Sequence, residues 1–343
     1  MRVRLRVVVS TLAAVVALVG VVGAQKVQIN GAGATFPYPI YSKWFSEYNK
    51  VHPEVEINYQ SIGSGGGIRQ LSNQTVFFGA TDGPMTPDQM QQAPGKILHL
   101  PTVLGAVVPI YNLPGVQGEI KFNGPVLADI FLGKITKWDD PAIAKLNGGM
   151  KLPSTDITVV HRSDGSGTSY IFVDFLSKVS PEWLKKVGVA TSVNWPSGLG
   201  GKGNEGVAGL VQQTPGSLGY VELIYALQNK IAYGAVQNAE GEFMRATIQA
   251  VTAAAGAAVK NMPKDFRVSI TNAPGKGVYP ISSFTWLLLY ENAKNKAQSK
   301  VMVDFMKWAL TSGQKFAPDL GYAPLPAEII KLEMDALNII KVS

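Results

Sequence analysis

The chain has 343 residues, of which 46% are hydrophobic and 16% are charged, so it can bury the cores of two ordinary domains and lacks the composition of a disordered protein. Its formal net charge of +7 suits an anionic ligand, but basic residues do not cluster with aromatic ones as they do in nucleic-acid-binding proteins. The absence of cysteine excludes disulfides, thiolate metal sites and thiol nucleophiles.

The first 24 residues have the pattern of a cleaved secretory signal peptide. Three arginines lie within Met1–Arg6, an apolar stretch follows from Val7 to Val22, and Ala24 ends a small-residue cleavage site. The apolar stretch is shorter than the roughly 20 residues that a membrane-spanning helix needs. We therefore predict export with cleavage after Ala24. Because no cysteine can carry a lipid, we expect the exported protein to be free in the periplasm.

Short β-rich segments alternate with helical ones along the rest of the chain, which predicts an α/β fold. In chain order, the predicted elements are a helix at Tyr38–Lys50, a strand at Val55–Gln60, a helix at Ile68–Asn73, strands at Phe77–Ala80 and Ala106–Tyr111, a helix at Pro125–Leu132, a strand at Ile157–Val160, helices at Thr168–Lys178 and Gly206–Gln213, strands at Gly219–Glu222 and Phe284–Tyr290, and a helix at Lys300–Thr311. In the first helix, aromatic residues recur at helical spacing, which indicates a side that faces the core.

Two turn-rich segments indicate that a middle domain is inserted into an outer one. They are Leu113–Gly118 and Asn272–Gly277, and both are rich in glycine and proline next to an apolar strand. The expected division is one discontinuous lobe of residues 25–109 and 278–343, and a second lobe of residues 110–277.

Three segments share a design that suits an anion. They are Asn30–Pro37, Ile62–Gly67 and Arg162–Ser169, and each places a glycine-rich turn with Ser or Thr before a predicted helix. A helix N-terminus presents unpaired N–H groups and a partial positive charge, and glycine lets the backbone approach closely. Thr35 is expected to cap the first helix. Ordinary capping explains any one of these segments, whereas three in one chain indicate an anion site.

Charged residues lie within or near these segments. Arg162 offers a planar cationic fork that matches an oxyanion, and Asp164 is expected to orient it. An exposed ion pair of little energetic consequence would have the same sequence. Asp82 follows an apolar strand and looks unsuited to an anion site, so a turn cap explains it equally well on sequence alone.

The same segments resemble the high-affinity phosphate-binding proteins of Pst ABC transport systems. The resemblance runs in order over nearly the whole chain after residue 24, is loosest around Ala239–Ser269, and lies in Gly31–Pro37, the glycine loop at Ser64, Phe78–Asp82, Gly133–Asp140, Asp164–Ser169 and Trp195–Gly203. It implies a two-lobed type II periplasmic-binding-protein fold, in which each lobe is a mixed sheet flanked by helices and two strands form the hinge. It also implies a monomeric binder, not an enzyme, without cofactor, metal or nucleic acid, that carries inorganic phosphate to membrane permease subunits.

The resemblance also assigns residues to the phosphate site. Carried over by position, the family's phosphate contacts fall on Thr35, Phe36, Ser64, Asp82, Arg162, Ser166, Gly167 and Thr168. Asp164 corresponds to the acid that pairs with the arginine. Asp82 then has a role, because an ionised carboxylate accepts a hydrogen bond from protonated phosphate but repels sulfate, which carries no proton near neutral pH.

Other interpretations stay open at this point. A secreted phosphatase or phosphotransferase would use Ser166 or Thr168 as nucleophile, and a binding protein for another oxyanion would share the same donors. The three histidines lack metal-ligand spacing, and His161 is expected to pack within its strand. The glycines at 198, 200 and 203 match a dinucleotide-binding pattern, but no clear strand precedes them, so we interpret the match as coincidence.

Overall fold

The computed structural model describes residues 26–343, so the predicted signal peptide at residues 1–24 lies outside the described part of the chain. The helices are α1 (Tyr38–Val51), α2 (Ser64–Ser72), α3 (Pro87–Gln92), α4 (Gly124–Phe131), α5 (Pro141–Leu146), α6 (Gly167–Val179), α7 (Pro181–Lys186), α8 (Gly203–Gln213), α9 (Leu223–Gln228), α10 (Ile248–Val259), α11 (Lys296–Trp308) and α12 (Ala327–Leu337). The strands are β1 (Val27–Gly33), β2 (Val55–Ser61), β3 (Phe78–Thr81), β4 (Ile97–Tyr111), β5 (Lys121–Phe122), β6 (Thr158–Arg162), β7 (Leu199–Gly201), β8 (Ser217–Glu222), β9 (Ala232–Tyr233), β10 (Ala235–Gln237), β11 (Phe243–Met244) and β12 (Ser282–Tyr290). Within the described residues, no helix is both long enough and apolar enough to cross a bilayer.

A nine-stranded mixed sheet forms the centre of the molecule. Its strands lie in the order β2-β1-β3-β12-β4-β8-β6-β7, and β9 pairs with β4 beside this path. The pairs β1–β2, β1–β3, β6–β8 and β6–β7 are parallel, whereas β12 and β4 run antiparallel to their neighbours. Helices α1 and α2 pack on β1–β3, and α8 packs on β6 and β8. The carboxyl ends of the parallel strands therefore meet in two groups, one in each half of the sheet.

Strand β4 joins the two halves. Its residues Ile97–Ala106 pair with β12, whereas Val107–Tyr111 pair with β8. The chain returns at the same point, where the Val107 N–H donates to the Ile281 carbonyl directly before β12. We call β1–β3, β12 and the start of β4 the first half, and the end of β4 with β6–β9 the second half. Two adjacent backbone segments connect them.

The aromatic side of α1 is buried, as its periodicity predicts. Tyr41, Trp44, Phe45 and Tyr48 all face the core, and the Trp44 indole donates a 2.8 Å hydrogen bond to the Gly313 carbonyl. This bond reaches the π-helical turn that follows α11. The spacing of these aromatic residues therefore reflects packing.

Every strand and helix predicted from the sequence is present, but several boundaries differ. Strand β4 begins at Ile97, well before the predicted start at Ala106, because it continues through both halves of the sheet. Strand β1 was not predicted, since its glycines and asparagine have low strand propensity and only pairing on both sides supports them. Helix α10, rich in alanine, was also missed, although alanine has the highest helix propensity.

Helix α2 lies so close to β1 that only glycine fits at the contact. A Cβ at Gly67 would be 2.5 Å from Gly33 Cα and 2.6 Å from the Ala32 carbonyl oxygen. We expect Gly67→Ala to lower the free energy of unfolding by about 1–3 kcal/mol, because backbone atoms cannot move aside. Urea unfolding measures this change.

Gly209 in α8 provides the matched control. Nothing lies within 4 Å of a Cβ added there, so Gly209→Ala should raise the free energy of unfolding by about 0.5–1 kcal/mol through helix propensity. Equal stability of Gly67→Ala and wild type would contradict the close packing of α2 on β1.

Candidate oxyanion-binding site

The predicted site residues all lie where strands end, between the two halves of the sheet. In the first half, Thr35 and Phe36 follow β1, Ser64 begins α2 after β2, and Asp82 follows β3. In the second half they are Arg162, Asp164, Ser166, Gly167 and Thr168, from the end of β6 to the start of α6. Ligand sites of open α/β sheets form at the carboxyl ends of strands. The halves touch here, since the Gly65 N–H donates to the Gly165 carbonyl at 2.9 Å.

Asp82 is a buried carboxyl group with one oxygen left unpaired by the protein. Its Oδ1 accepts a 2.8 Å hydrogen bond from Thr285 Oγ1, and its residue is 1% exposed. Among residues 26–343, no donor reaches the buried Oδ2. Burial raises the pKa of Asp82 to about 7, although the hydrogen bonds from Thr285 and Ser64 and the charge of Arg162 act in the opposite direction. An unpaired buried acceptor of this kind is costly unless a bound group donates to it.

Arg162 is a buried guanidinium with one nitrogen left unpaired by the protein. Its Nε donates to Asp164 Oδ1 at 2.8 Å and its Nη2 to Asp164 Oδ2 at 2.6 Å. The arginine side chain is only 1% exposed, which excludes the surface ion pair considered from the sequence. No acceptor within the described residues reaches the buried Nη1. Burial acts to raise the pKa of Asp164, but the hydrogen bonds and charge of Arg162 outweigh it and hold that pKa below its usual value.

Two serine hydroxyls lie between the two halves as acceptors of backbone hydrogen bonds. Ser64 Oγ accepts from the Asp82 N–H at 3.2 Å, and Ser166 Oγ caps α6 by accepting from the Ser169 N–H at 3.0 Å. Both residues are fully buried. In residues 26–343, the Ser166 hydroxyl donates to no protein group, so its proton is left for a bound acceptor. The Ser64 hydroxyl also lies near the Asp82 carboxyl group, and its hydrogen bond acts to lower the pKa of Asp82.

The two threonine hydroxyls have the same polarity. Asn204 Nδ2 donates to Thr35 Oγ1 at 2.7 Å and to Thr168 Oγ1 at 3.1 Å. All three residues are buried, and the structure of residues 26–343 contains no acceptor for either threonine proton. Each of these four buried hydroxyls thus accepts a hydrogen bond from an N–H group and keeps its own proton to donate.

The start of α6 completes the site. A Cβ at Gly167 would lie 2.4 Å from Ser64 Oγ and 2.5 Å from Asp82 Oδ2, so only glycine allows the helix to approach these groups. The N–H groups of Gly167 and Thr168 belong to the first helical turn, which has no internal carbonyl partner for them. Hydroxyls, helix N–H groups and Arg162 therefore supply many donors, and Asp82 supplies one acceptor. This arrangement suits a small oxyanion that carries at least one proton.

Comparisons with known proteins identify the family of the chain. A sequence model of the PBP superfamily domain matches residues 20–312. The chain is 50% identical to the phosphate-binding protein PstS of Xylella fastidiosa over 308 residues, which cover 90% of this chain and 84% of that protein. The chain belongs to the PstS family of this superfamily. A PstS protein of Methanocaldococcus jannaschii is 40% identical, with 91% of this chain and 86% of that protein covered.

Solved structures share the family's fold. The crystal structure of a phosphate-binding protein from Stenotrophomonas maltophilia superposes with a TM-score of 0.70 at 19% identity, covering 90% of this chain and 93% of that one. This likeness confirms the predicted type II fold with mixed sheets and flanking helices. The two-strand hinge and the lobe boundaries stay predictions.

One local prediction at the site is wrong. Thr35 does not cap α1, because the N-cap position is Pro37 and the Thr35 hydroxyl instead contacts Asn204. His161 packs as expected, with its ring stacked on Trp195 at a centroid distance of 4.9 Å. Thr35 therefore lies at the site as predicted, but its hydroxyl contacts Asn204 and not the start of α1.

The sequence interpretation missed Asn204 and Thr285. Asn204 lies at the start of α8, directly after the glycine pattern that we set aside as a coincidental dinucleotide motif. A short strand, β7, does run through that pattern, so the signal of a strand, a glycine turn and a helix start was present. Thr285 lies within β12 and has no local pattern of its own.

The raised pKa of Asp82 predicts an unusual pH dependence of stability. The folded pKa is about 7 and the usual value is 3.8, so between these pH values the folded protein holds a proton that the unfolded chain has released. The contribution of Asp82 to wild-type stability should therefore fall as the pH rises from about 4 to about 7. Asp82→Asn has no such proton and should be more stable than wild type above about pH 7, by up to about 4 kcal/mol.

Denaturant unfolding of both proteins in phosphate-free buffer across this range measures the effect. The stability difference should shrink towards zero near about pH 4, where Asp82 is protonated in both states. Parallel pH profiles of the two proteins would contradict the burial of an unpaired carboxyl.

Proposed function

We propose that this protein binds inorganic phosphate between the two halves of its sheet and delivers it to the permease of an ABC importer. Relatives at 40–50% identity are named phosphate-binding protein PstS, and one structural neighbour is described as a high-affinity periplasmic phosphate-binding protein bound with phosphate. The single observation that carries the proposal is the pair of buried, unpaired atoms, Asp82 Oδ2 and Arg162 Nη1. Phosphate is an anion that can satisfy both.

Phosphate fits the donors and the acceptor together. Near neutral pH it carries at least one proton, which it can donate to the carboxylate of Asp82, while its other oxygens accept from the hydroxyls, the helix N–H groups and Arg162. Sulfate has no proton to donate and would place two negative charges in contact. The carboxylate therefore selects by repulsion, and in a desolvated site the cost to the wrong anion is several kcal/mol.

The proposed contacts are those of the family resemblance. They are Thr35, Phe36, Ser64, Asp82, Arg162, Ser166, Gly167 and Thr168, with Asp164 holding the arginine. This assignment is supported because residues of the first half and of the second half lie close together around the unpaired Asp82 Oδ2 and Arg162 Nη1. Each hydroxyl in the set is oriented as a donor by an N–H group that it accepts from.

We further propose that the halves are two lobes, residues 25–109 with 278–343 and residues 110–277. The change of partner within β4, and the return of the chain at Ile281, support a hinge of two strands near these boundaries. An anion that contacts both lobes stabilises their closed arrangement, which is a population shift about the hinge.

Binding without catalysis is the better account of the hydroxyls. A phosphatase nucleophile needs a base that takes its proton, whereas Ser166 Oγ and Thr168 Oγ1 accept hydrogen bonds from N–H groups. Within residues 26–343, no carboxylate or imidazole is hydrogen-bonded to either of them. We therefore propose a monomeric carrier of phosphate, exported to the periplasm, as the basic and apolar pattern of residues 1–24 suggests.

Replacement of Arg162 tests the proposed function. Arg162→Ala removes the only charged donor of the proposed set and leaves the partly buried Asp164 without its charged partner. We expect phosphate affinity to fall by about 2–5 kcal/mol, which is at least about 30-fold in the dissociation constant. Isothermal titration calorimetry with phosphate-free protein measures this loss.

Arg245→Ala is the matched control, because Arg245 forms a surface ion pair with Glu119 at 2.9 Å. Its replacement should leave phosphate affinity within about twofold of wild type, since exposed pairs contribute little. An Arg162→Ala protein with wild-type affinity would refute the proposed site.

A further inference from the structure

Asn204 connects residues from both halves of the sheet at the candidate site. It is the second residue of α8 and is fully buried. Its side-chain Nδ2 donates to Thr35 of the first half and to Thr168 of the second half, at 2.7 and 3.1 Å. Its backbone N–H also approaches Thr35 Oγ1, at 3.3 Å. One residue therefore contacts both threonine hydroxyls.

The orientation of the Asn204 amide is determined by its third contact. The amide oxygen accepts a 2.9 Å hydrogen bond from the Glu222 N–H at the end of β8. A flipped amide would set its NH2 group against that N–H donor, so the NH2 group must face the threonines.

This orientation dictates the polarity of the threonine hydroxyls. A hydroxyl has one donor and two acceptor positions. Both acceptor positions of Thr35 Oγ1 are used by Asn204, and one of Thr168 Oγ1 is used. Thr35 can therefore act only as a donor towards any further group, and the proton of Thr168 is also directed away from Asn204.

We propose that Asn204 is a positioning residue that makes Thr35 and Thr168 obligatory donors to the bound oxyanion. It does so without touching the anion, and it can do so only while the two halves are in contact, because its partners belong to both. This inference rests on the proposed function and extends it. It predicts that the preference for a ligand with many acceptor oxygens depends on the amide of Asn204, which does not contact the ligand.

Asn204→Asp reverses this polarity with little change of shape. The aspartate keeps an oxygen for the Glu222 N–H but presents an acceptor to both threonines, so their protons turn towards residue 204 and away from the anion. We expect the dissociation constant for phosphate, measured by calorimetry near pH 8, to rise at least about 100-fold, or about tenfold for each hydroxyl.

The control is the same substitution at a buried asparagine elsewhere. Asn147 Nδ2 donates to two carbonyls and its Oδ1 accepts the Lys121 N–H at 2.8 Å. Asn147→Asp should lower thermal stability but leave phosphate affinity within about twofold of wild type. If Asn204→Asp does not fold, Asn204→Ala is measured in the same way, with at least about a tenfold loss expected.

A double-mutant cycle separates positioning from a structural role or from simple charge repulsion. Thr168→Val should weaken phosphate binding about tenfold in the wild-type background but less than about twofold beside Asn204→Asp, because that hydroxyl no longer donates to the anion. Additive losses would overturn the inference, as would wild-type affinity of the Asn204 variants. A wild-type protein that binds no phosphate would overturn the proposed function itself, and the inference with it.

Discussion

The rest of the site depends on the buried carboxyl group of Asp82, because burying a charged group without a hydrogen-bond partner costs free energy. One of its oxygens is paired with Thr285, and the other has no donor in the described part of the chain. The neighbouring Arg162 has the opposite imbalance, a buried nitrogen without an acceptor. A protonated oxyanion can pair with both at once, whereas a fully deprotonated anion has no proton to donate to Asp82.

The other hydrogen-bond donors of the site are brought together by the backbone, and only one of them is charged. Strands of both halves end at the site, and α6 approaches Ser64 and Asp82 closely because residue 167 is glycine. The hydroxyls then receive hydrogen bonds from N–H groups and are left as donors. The site thus holds a single guanidinium, yet it presents a nearly complete shell of donors. Asn204 does not face the proposed anion, but its amide orients the hydroxyls of Thr35 and Thr168, which do.

Local sequence patterns predicted much of this site and omitted what depends on distant contacts. The glycine turns with Ser or Thr and the Arg162–Asp164 pair could be read from short segments, because helix starts and ion pairs are local features. Thr285 lies 203 residues from Asp82, and Asn204 lies 169 residues from Thr35, so only the folded chain reveals their contacts. The cap assigned to Thr35 failed for the same reason, since a distant amide competes for its hydroxyl. Strand β1 escaped prediction because pairing on both sides overrides the poor strand propensity of its residues.

The central claim is that one carboxylate recognises the proton on its ligand. Calorimetric titration of wild type and Asp82→Asn with phosphate and with sulfate, near pH 8 where Asp82 is ionised, tests it most directly. The account predicts that wild type binds phosphate and rejects sulfate, and that Asp82→Asn loses most of this preference because an amide can donate to sulfate. An Asp82→Asn protein that still prefers phosphate to the wild-type extent would contradict the account.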